Sequence, residues 1–177
     1  LGFKEMQGNY IQTSYWNFDT LFVPQDHPAR EMQDTLFVNG QGTIKLSETV
    51  KRIKATHENG WTTQSKGWQY KWNIEDARKL VLRTHTTCLS SNTISNLKKD
   101  DLPIKFFSVG KVFRNETLDK THLFEFYQTE GIVIDENANL KQLIGYLKTF
   151  FEKMGFEKIR IRPGYFPYTE PSIEVDV

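Results

Sequence analysis

The sequence predicts an α+β fold, with a mainly antiparallel sheet flanked by helices. Two apolar runs, 104–113 and 123–134, are joined by a charged loop at 114–122 and read as a long hairpin. The stretch 140–154 sets Leu140, Leu143, Ile144, Leu147, Phe150 and Phe151 at helical spacing, and Gly155 stops it. In 158–162, Ile159 and Ile161 alternate with basic residues; in 172–177, Ile173, Val175 and Val177 share one face. That period of two marks half-buried strands. Helices packed on a largely antiparallel sheet are the simplest way to bury both patterns.

The remaining elements follow in chain order. Residues 3–11 form a short strand, and Ser14 caps a helix that Pro24 ends. Residues 28–30 form a turn, and 35–38 a strand running into Asn39-Gly40. Ser47 caps a second helix whose Val50 and Ile53 share a face, with Asn59-Gly60 as its stop. Residues 61–72 are polar, carry three Trp and show no clean period, which fits a loop or a hairpin insertion. A strand at 80–85 enters the core, and 87–97 is a helix capped by Thr87 or Ser90.

With 177 residues, 38% hydrophobic and 14% aromatic, the chain can bury a core as one domain over 1–177. The net charge of +1 is lower than a domain gripping nucleic acid alone usually carries. Lys51, Arg52 and Lys54 form the only dense basic cluster, read as a solvated helix face. One cysteine, Cys88, excludes an internal disulfide and fits a reducing compartment. The four histidines show no metal-ligand spacing. Neither a signal peptide nor an apolar run near 20 residues is present, which points to a cytoplasmic chain without a membrane partner. A start at Leu1 and an end inside a strand point to a truncated segment.

The chemistry concentrates in the hairpin. Arg114 ends the first strand, while Phe126, Gln128 and Glu130 project together from the second. A carboxylate and an amide turned inward need partners. Either Glu130 pairs with Arg114 or Lys111 inside the sheet, or the set receives a ligand.

Phe113-Arg114-Asn115-Glu116, followed by His122 and by Phe126-Tyr127-Gln128-Thr129-Glu130-Gly131, resembles motif 2 of class II aminoacyl-tRNA synthetases. More narrowly, it resembles the phenylalanine-specific alpha subunit of the archaeal and eukaryotic-cytosolic type. Three further blocks agree in order. They are Trp16-Asn17-Phe18-Asp19 with His27-Pro28-Ala29-Arg30, then Leu82-Arg83-Thr84-His85-Thr86-Thr87, then Arg162-Pro163-Gly164-Tyr165-Phe166-Pro167-Tyr168-Thr169-Glu170-Pro171.

The resemblance implies phenylalanine activation by ATP and transfer to tRNA(Phe). The attacking carboxylate is already anionic, so the first step needs positioning and charge neutralisation more than a base. Arg114 then holds the α-phosphate and is the catalytic residue. His85, Glu116 and His122 surround ATP. Thr87, Gln128, Thr129 and Glu130 bind the amino acid, with Phe166 and Tyr168 against its ring. Glu170 ligates Mg²⁺ bridging the phosphates. Core packing for the two aromatics, and a hydrogen-bonded core role for His85, stand as plain alternatives. The family also implies a beta subunit and an α2β2 assembly, with RNA rather than DNA as partner. No counterpart of motif 3 is present, and motif 1 is reduced to its strand, so the segment alone is expected not to activate phenylalanine. Two rivals are a phosphoseryl or pyrrolysyl enzyme of the same subclass, and a synthetase-like paralogue that only binds.

Overall fold

The computed structural model describes residues 2–31, 34–165, 169 and 171–177. The chain divides into two units, Leu1–Asp101 with Lys105–Ile132, and Leu102–Ile104 with Val133–Val177.

In the first unit, the predicted strand at 3–11 is two pieces, β1 (Lys4–Glu5) and β2 (Ile11–Thr13). Thr13 accepts from Trp16 N–H and starts α1 (Ser14–Asn17). The helix is much shorter than predicted. A 3-10 turn, Asp19–Leu21, takes over, and Phe22 closes it in the left-handed region at φ 63°. The cap is also one residue earlier, because the Ser14 side chain is buried. A second 3-10 turn, Pro28–Arg30, is capped by His27 Nδ1 accepting from Ala29 N–H.

Next come β3 (Phe37–Gln41) and α2 (Glu48–Asn59), which is capped by Ser47 and closed by Gly60 at φ 82°. Residues 61–72 are a loop folded back on that helix end. Gly60 N–H and Trp61 N–H donate to Thr56 O and Ala55 O, and Trp68 N–H to His57 O at 2.7 Å. A Cβ at Gly60 or Gly67 would run into the facing backbone, so both must be glycine. A short helix missed in the sequence, α3 (Ile74–Arg78), is capped by Asn73. Then follow β4 (Lys79–Leu82), α4 (Thr87–Ser95), β5 (Ile104–Phe113) and β6 (Glu125–Ile134).

Among the described residues the strands form three small sheets rather than one, ordered β1-β5-β6, β2-β4-β3 and a separate pair. β1 runs parallel to β5, and β4 is antiparallel to both its neighbours. β5 and β6 are antiparallel: Arg114 N–H reaches Phe124 O at one end, and Gly131 faces Phe106 O further along. Arg83 joins the first two sheets, since its N–H donates to Tyr10 O and its carbonyl accepts from Phe113 N–H. One apolar cluster gathers Tyr15, Ile44, Val50, Trp72 and Ala77; another gathers Met6, Cys88 and Leu89 against Phe106 and Ile132. Trp72 thus leaves the polar insertion for the core.

The second unit contains α5 (Leu140–Lys153), with an Asn139–Gln142 capping box, and the antiparallel pair β7 (Arg160–Gly164) and β8 (Ser172–Asp176). Arg160 and Arg162 both bind Asp176 across that pair, holding its carboxyl below the usual range. Among the described residues, no helix is long and apolar enough to cross a membrane.

Candidate functional site

The β4–α4 turn and the outer hairpin strand make the site. β4 is pinned on both edges, so its end delivers Arg83, Thr84, His85 and Thr86 to fixed places. Beneath them lies Asn17, which is fully buried. Its amide donates to Thr84 Oγ1 at 2.9 Å and accepts from Thr84 N–H at 3.2 Å. The Asn17 carbonyl accepts from His85 Nε2–H at 2.8 Å. A carbonyl can only accept, so His85 is the Nε2–H tautomer when neutral, and its buried Nδ1 lone pair has no partner among the described residues. Burial, and then the Arg114 charge, keep the ring neutral: its pKa is lowered to about 4.

Glu130 stands on the inward face of β6 and is held by hydroxyls at the start of α4. Thr87 Oγ1 donates to Oε2 at 2.6 Å, Thr86 Oγ1 donates to the same oxygen at 3.3 Å, and Ser90 Oγ donates to Oε1. Two residues earlier on the same face, Gln128 Oε1 accepts from Thr86 N–H at 3.1 Å. These hydroxyls therefore do not cap the helix; α4 has no side-chain cap bond. The intrasheet ion pair is not formed either. Lys111 binds Glu125 at 2.6 Å, and Arg114 Nε donates to Thr84 O at 3.1 Å with its guanidinium over the Phe126 ring. Arg114, Thr84, Asn17 and His85 are thus linked in one chain of contacts, next to the Glu130–Gln128 pair.

Not every predicted site residue joins them. Thr129 is exposed on the opposite face of β6, because neighbouring strand residues alternate. Glu116 and His122 are exposed in the 114–124 loop. There Asp119 gathers Thr121 N–H, His122 N–H and His122 Nδ1–H, which holds Asp119 below the carboxylate range and raises His122. Phe166, Tyr168 and Glu170 lie outside the described residues. Among the described residues, no group of three or more His, Cys, Asp or Glu could hold a metal.

Four contributors were not legible beforehand: Asn17, Thr84, Thr86 and Ser90. Asn17, Thr84 and Thr86 sit inside blocks that carried the resemblance, and that was the available signal.

A second buried network lies beneath α1. Asp19 pairs with Arg30 at 2.8 Å, although Asp19 Oδ2 and Arg30 Nε complete no hydrogen bond among the described residues. Burial raises the Asp19 pKa to about 6, against the opposing pull of Arg30 and, after it, of Trp72 and Gln25. His57 Nε2–H donates to Asp19 O, so its Nδ1 accepts from Tyr70 O–H.

A half-buried, hydroxyl-bound carboxylate and a hairpin-end arginine, both tied to a Thr-rich strand–helix turn, fall in the sequence blocks that carry the class II synthetase resemblance. The chain belongs to the family of class II tRNA synthetase core domains (F), whose model matches residues 1–177. Its relatives narrow the comparison further. A phenylalanine–tRNA ligase alpha subunit of Archaeoglobus fulgidus is 53% identical over all of this chain and 37% of its own length. The subunit of that name from Schizosaccharomyces pombe is 51% identical over 99% of this chain and 36% of its own length. The chain therefore spans little more than a third of these relatives. The pyrrolysyl-tRNA synthetase of Desulfitobacterium hafniense superposes with a TM-score of 0.62 at 15% identity, over 99% of this chain and 50% of that one. At that identity the likeness concerns the fold.

Proposed function

We infer that this chain supplies the amino-acid and α-phosphate part of a phenylalanine–tRNA ligase alpha subunit. The observation that carries this reading is Glu130, held by three hydroxyls from the β4–α4 turn and the start of α4. A carboxylate positioned by hydroxyls rather than by a cation of the protein is left to meet a cationic ligand, here the ammonium group of phenylalanine. Gln128 Oε1 keeps a second lone pair after accepting from Thr86 N–H, and it adds an acceptor on the same side.

The reaction forms a bond from a phenylalanine carboxylate oxygen to the ATP α-phosphorus and breaks the bond to the β-phosphate oxygen, releasing pyrophosphate. A terminal ribose hydroxyl of tRNA(Phe) then attacks the carbonyl carbon, its proton leaves, and AMP departs. Arg114 neutralises charge growing on the α-phosphate, with its guanidinium plane set by Thr84 O and Phe126. Neutral His85, whose Nε2–H is taken by Asn17 O, meets ATP only if the turn shifts to uncover its buried Nδ1. Glu116 and His122 reach ATP only if the 114–124 loop folds over it. Phe166 and Tyr168 would flank the phenyl ring, and Glu170 would be an oxygen ligand for the Mg²⁺ that accompanies ATP. A beta subunit, in an α2β2 enzyme of the cytoplasm, completes the proposal.

The test is phenylalanine-dependent pyrophosphate exchange by the assembled alpha–beta enzyme carrying this segment. Exchange that is lost in Arg114→Gln supports the reading. No exchange with phenylalanine, while a phenylalanyl-adenylate analogue still binds, would leave a binding paralogue instead.

A further inference from the structure

The four tryptophans divide into two kinds. Trp72 is 5% exposed and Trp16 packs against the same core, but Trp61 and Trp68 stand 47% and 41% exposed on one short loop. Trp68 is fixed from behind: its ring packs on Phe22 and its indole N–H donates to Phe22 O at 2.9 Å. Trp61 is held by its backbone, whose N–H donates to Ala55 O and Asn59 Oδ1. Its φ of 48° is in the left-handed region, which a bulky residue avoids without a reason. Core packing supplies none, because the aromatic contact of Trp61 is with the Arg52 guanidinium, 5.3 Å from the ring.

The surrounding charge is one-sided. Residues 45–71 hold six lysines and arginines against two glutamates, a formal +4 in a chain whose total is +1. Lys51 and Arg52 share the single Glu48 carboxylate at 3.7 and 3.8 Å, both exposed, so that pairing leaves them available. Lys66 is exposed on the loop itself, between Trp61 and Trp68.

We propose that this loop and the adjoining face of α2 bind single-stranded RNA, with Trp61 as a base-stacking surface and Lys51, Arg52 and Lys66 as phosphate contacts. Rigid exposed rings set among cations are what an unpaired strand offers its π-faces and phosphates to. A duplex, with its bases stacked away, has nothing for Trp61. The inference does not depend on the amino-acid site, so either can fail without the other.

The test is fluorescence anisotropy of a labelled 12-nucleotide uridine strand with this chain. Trp61→Gly is the informative variant, since glycine accepts the left-handed backbone and the ring alone is lost. Affinity falls about tenfold in Trp61→Gly and is kept in Trp61→Tyr. The double variant Arg52→Gln/Lys66→Gln lowers the slope of log K against log salt by about 1.4, the share of two phosphate contacts. Equal binding by Trp61→Gly and the parent chain overturns the proposal. So does a uridine–adenosine duplex of the same length that binds as tightly as the single strand. Anionic phospholipid vesicles that displace the RNA through Trp61 overturn it too, by making the surface a membrane contact.

Discussion

The Thr87 hydroxyl donates to the Glu130 carboxylate at 2.6 Å, joining the first turn of α4 to strand β6 across 43 positions of sequence. This bond turns two unremarkable polar residues into one preorganised acceptor. It also separates the two roles proposed for Glu130, one toward the protein and one toward a ligand.

Glu130→Gln should keep the first role and lose the second. The amide oxygen still accepts from hydroxyls, so the melting temperature should move little. The charge for an ammonium group is gone, and a hydrogen bond to a charged partner is worth about 1.5–3 kcal/mol. Calorimetric titration of phenylalanine into the assembled enzyme should show Kd raised roughly 10- to 100-fold. An unchanged Kd would remove Glu130 from amino-acid binding.

Asn17→Ala should be costly although no ligand touches it. Both Asn17 side-chain bonds go to Thr84 in a fully buried place, and truncation leaves Thr84 N–H without its acceptor. A loss of about 2–4 kcal/mol follows. It should be read as a lower urea midpoint at constant m-value.

Gly110→Ala tests the seat of Arg83. Arg83 is 3% exposed, and its guanidinium donates to Lys111 O and Gly8 O and lies over the Tyr10 ring; a Cβ at position 110 would run into it. Overpacking of this kind costs about 1–3 kcal/mol. For a chain of this size the melting temperature should drop by about 2–12 °C. Arg83→Ala in the same chain should make the second methyl nearly free, a non-additivity that a double-mutant cycle measures.

Acid should weaken the fold partly through His85. Its folded pKa of about 4 lies below the 6.5 of a free imidazole, so the unfolded chain takes up the proton first. Stability from this group is complete above pH 6.5 and is lost as pH falls toward 4, by on the order of 3 kcal/mol at most. Buried His57 pulls the same way. Asp19 opposes them: its pKa of about 6 makes the folded state take up the proton first, adding stability as pH falls from 6 toward 3.8. His85→Gln should flatten the acid limb of a urea-midpoint profile between pH 4.5 and 7.5, and Asp19→Asn should steepen it.

Much of this molecule was legible in its sequence, because local rules govern it. Ser47 and Gly60 bound α2, and Gly155 follows α5, since caps and left-handed glycines act within a few residues. The strand period put Gln128 and Glu130 on one face, and the same period should have excluded Thr129. The family resemblance drew His85, Thr87 and Arg114 together without saying how they touch. What only the tertiary structure decided is which partner each polar group takes. Glu130 could have met Arg114 or Lys111 on charge alone, yet it faces three hydroxyls from α4, because the turn after β4 brings Thr86, Thr87 and Ser90 closer than either cation. Asn17 and Thr84 matter for the same reason: 67 residues apart in sequence, they share a buried site where an unpaired amide would be too costly to leave.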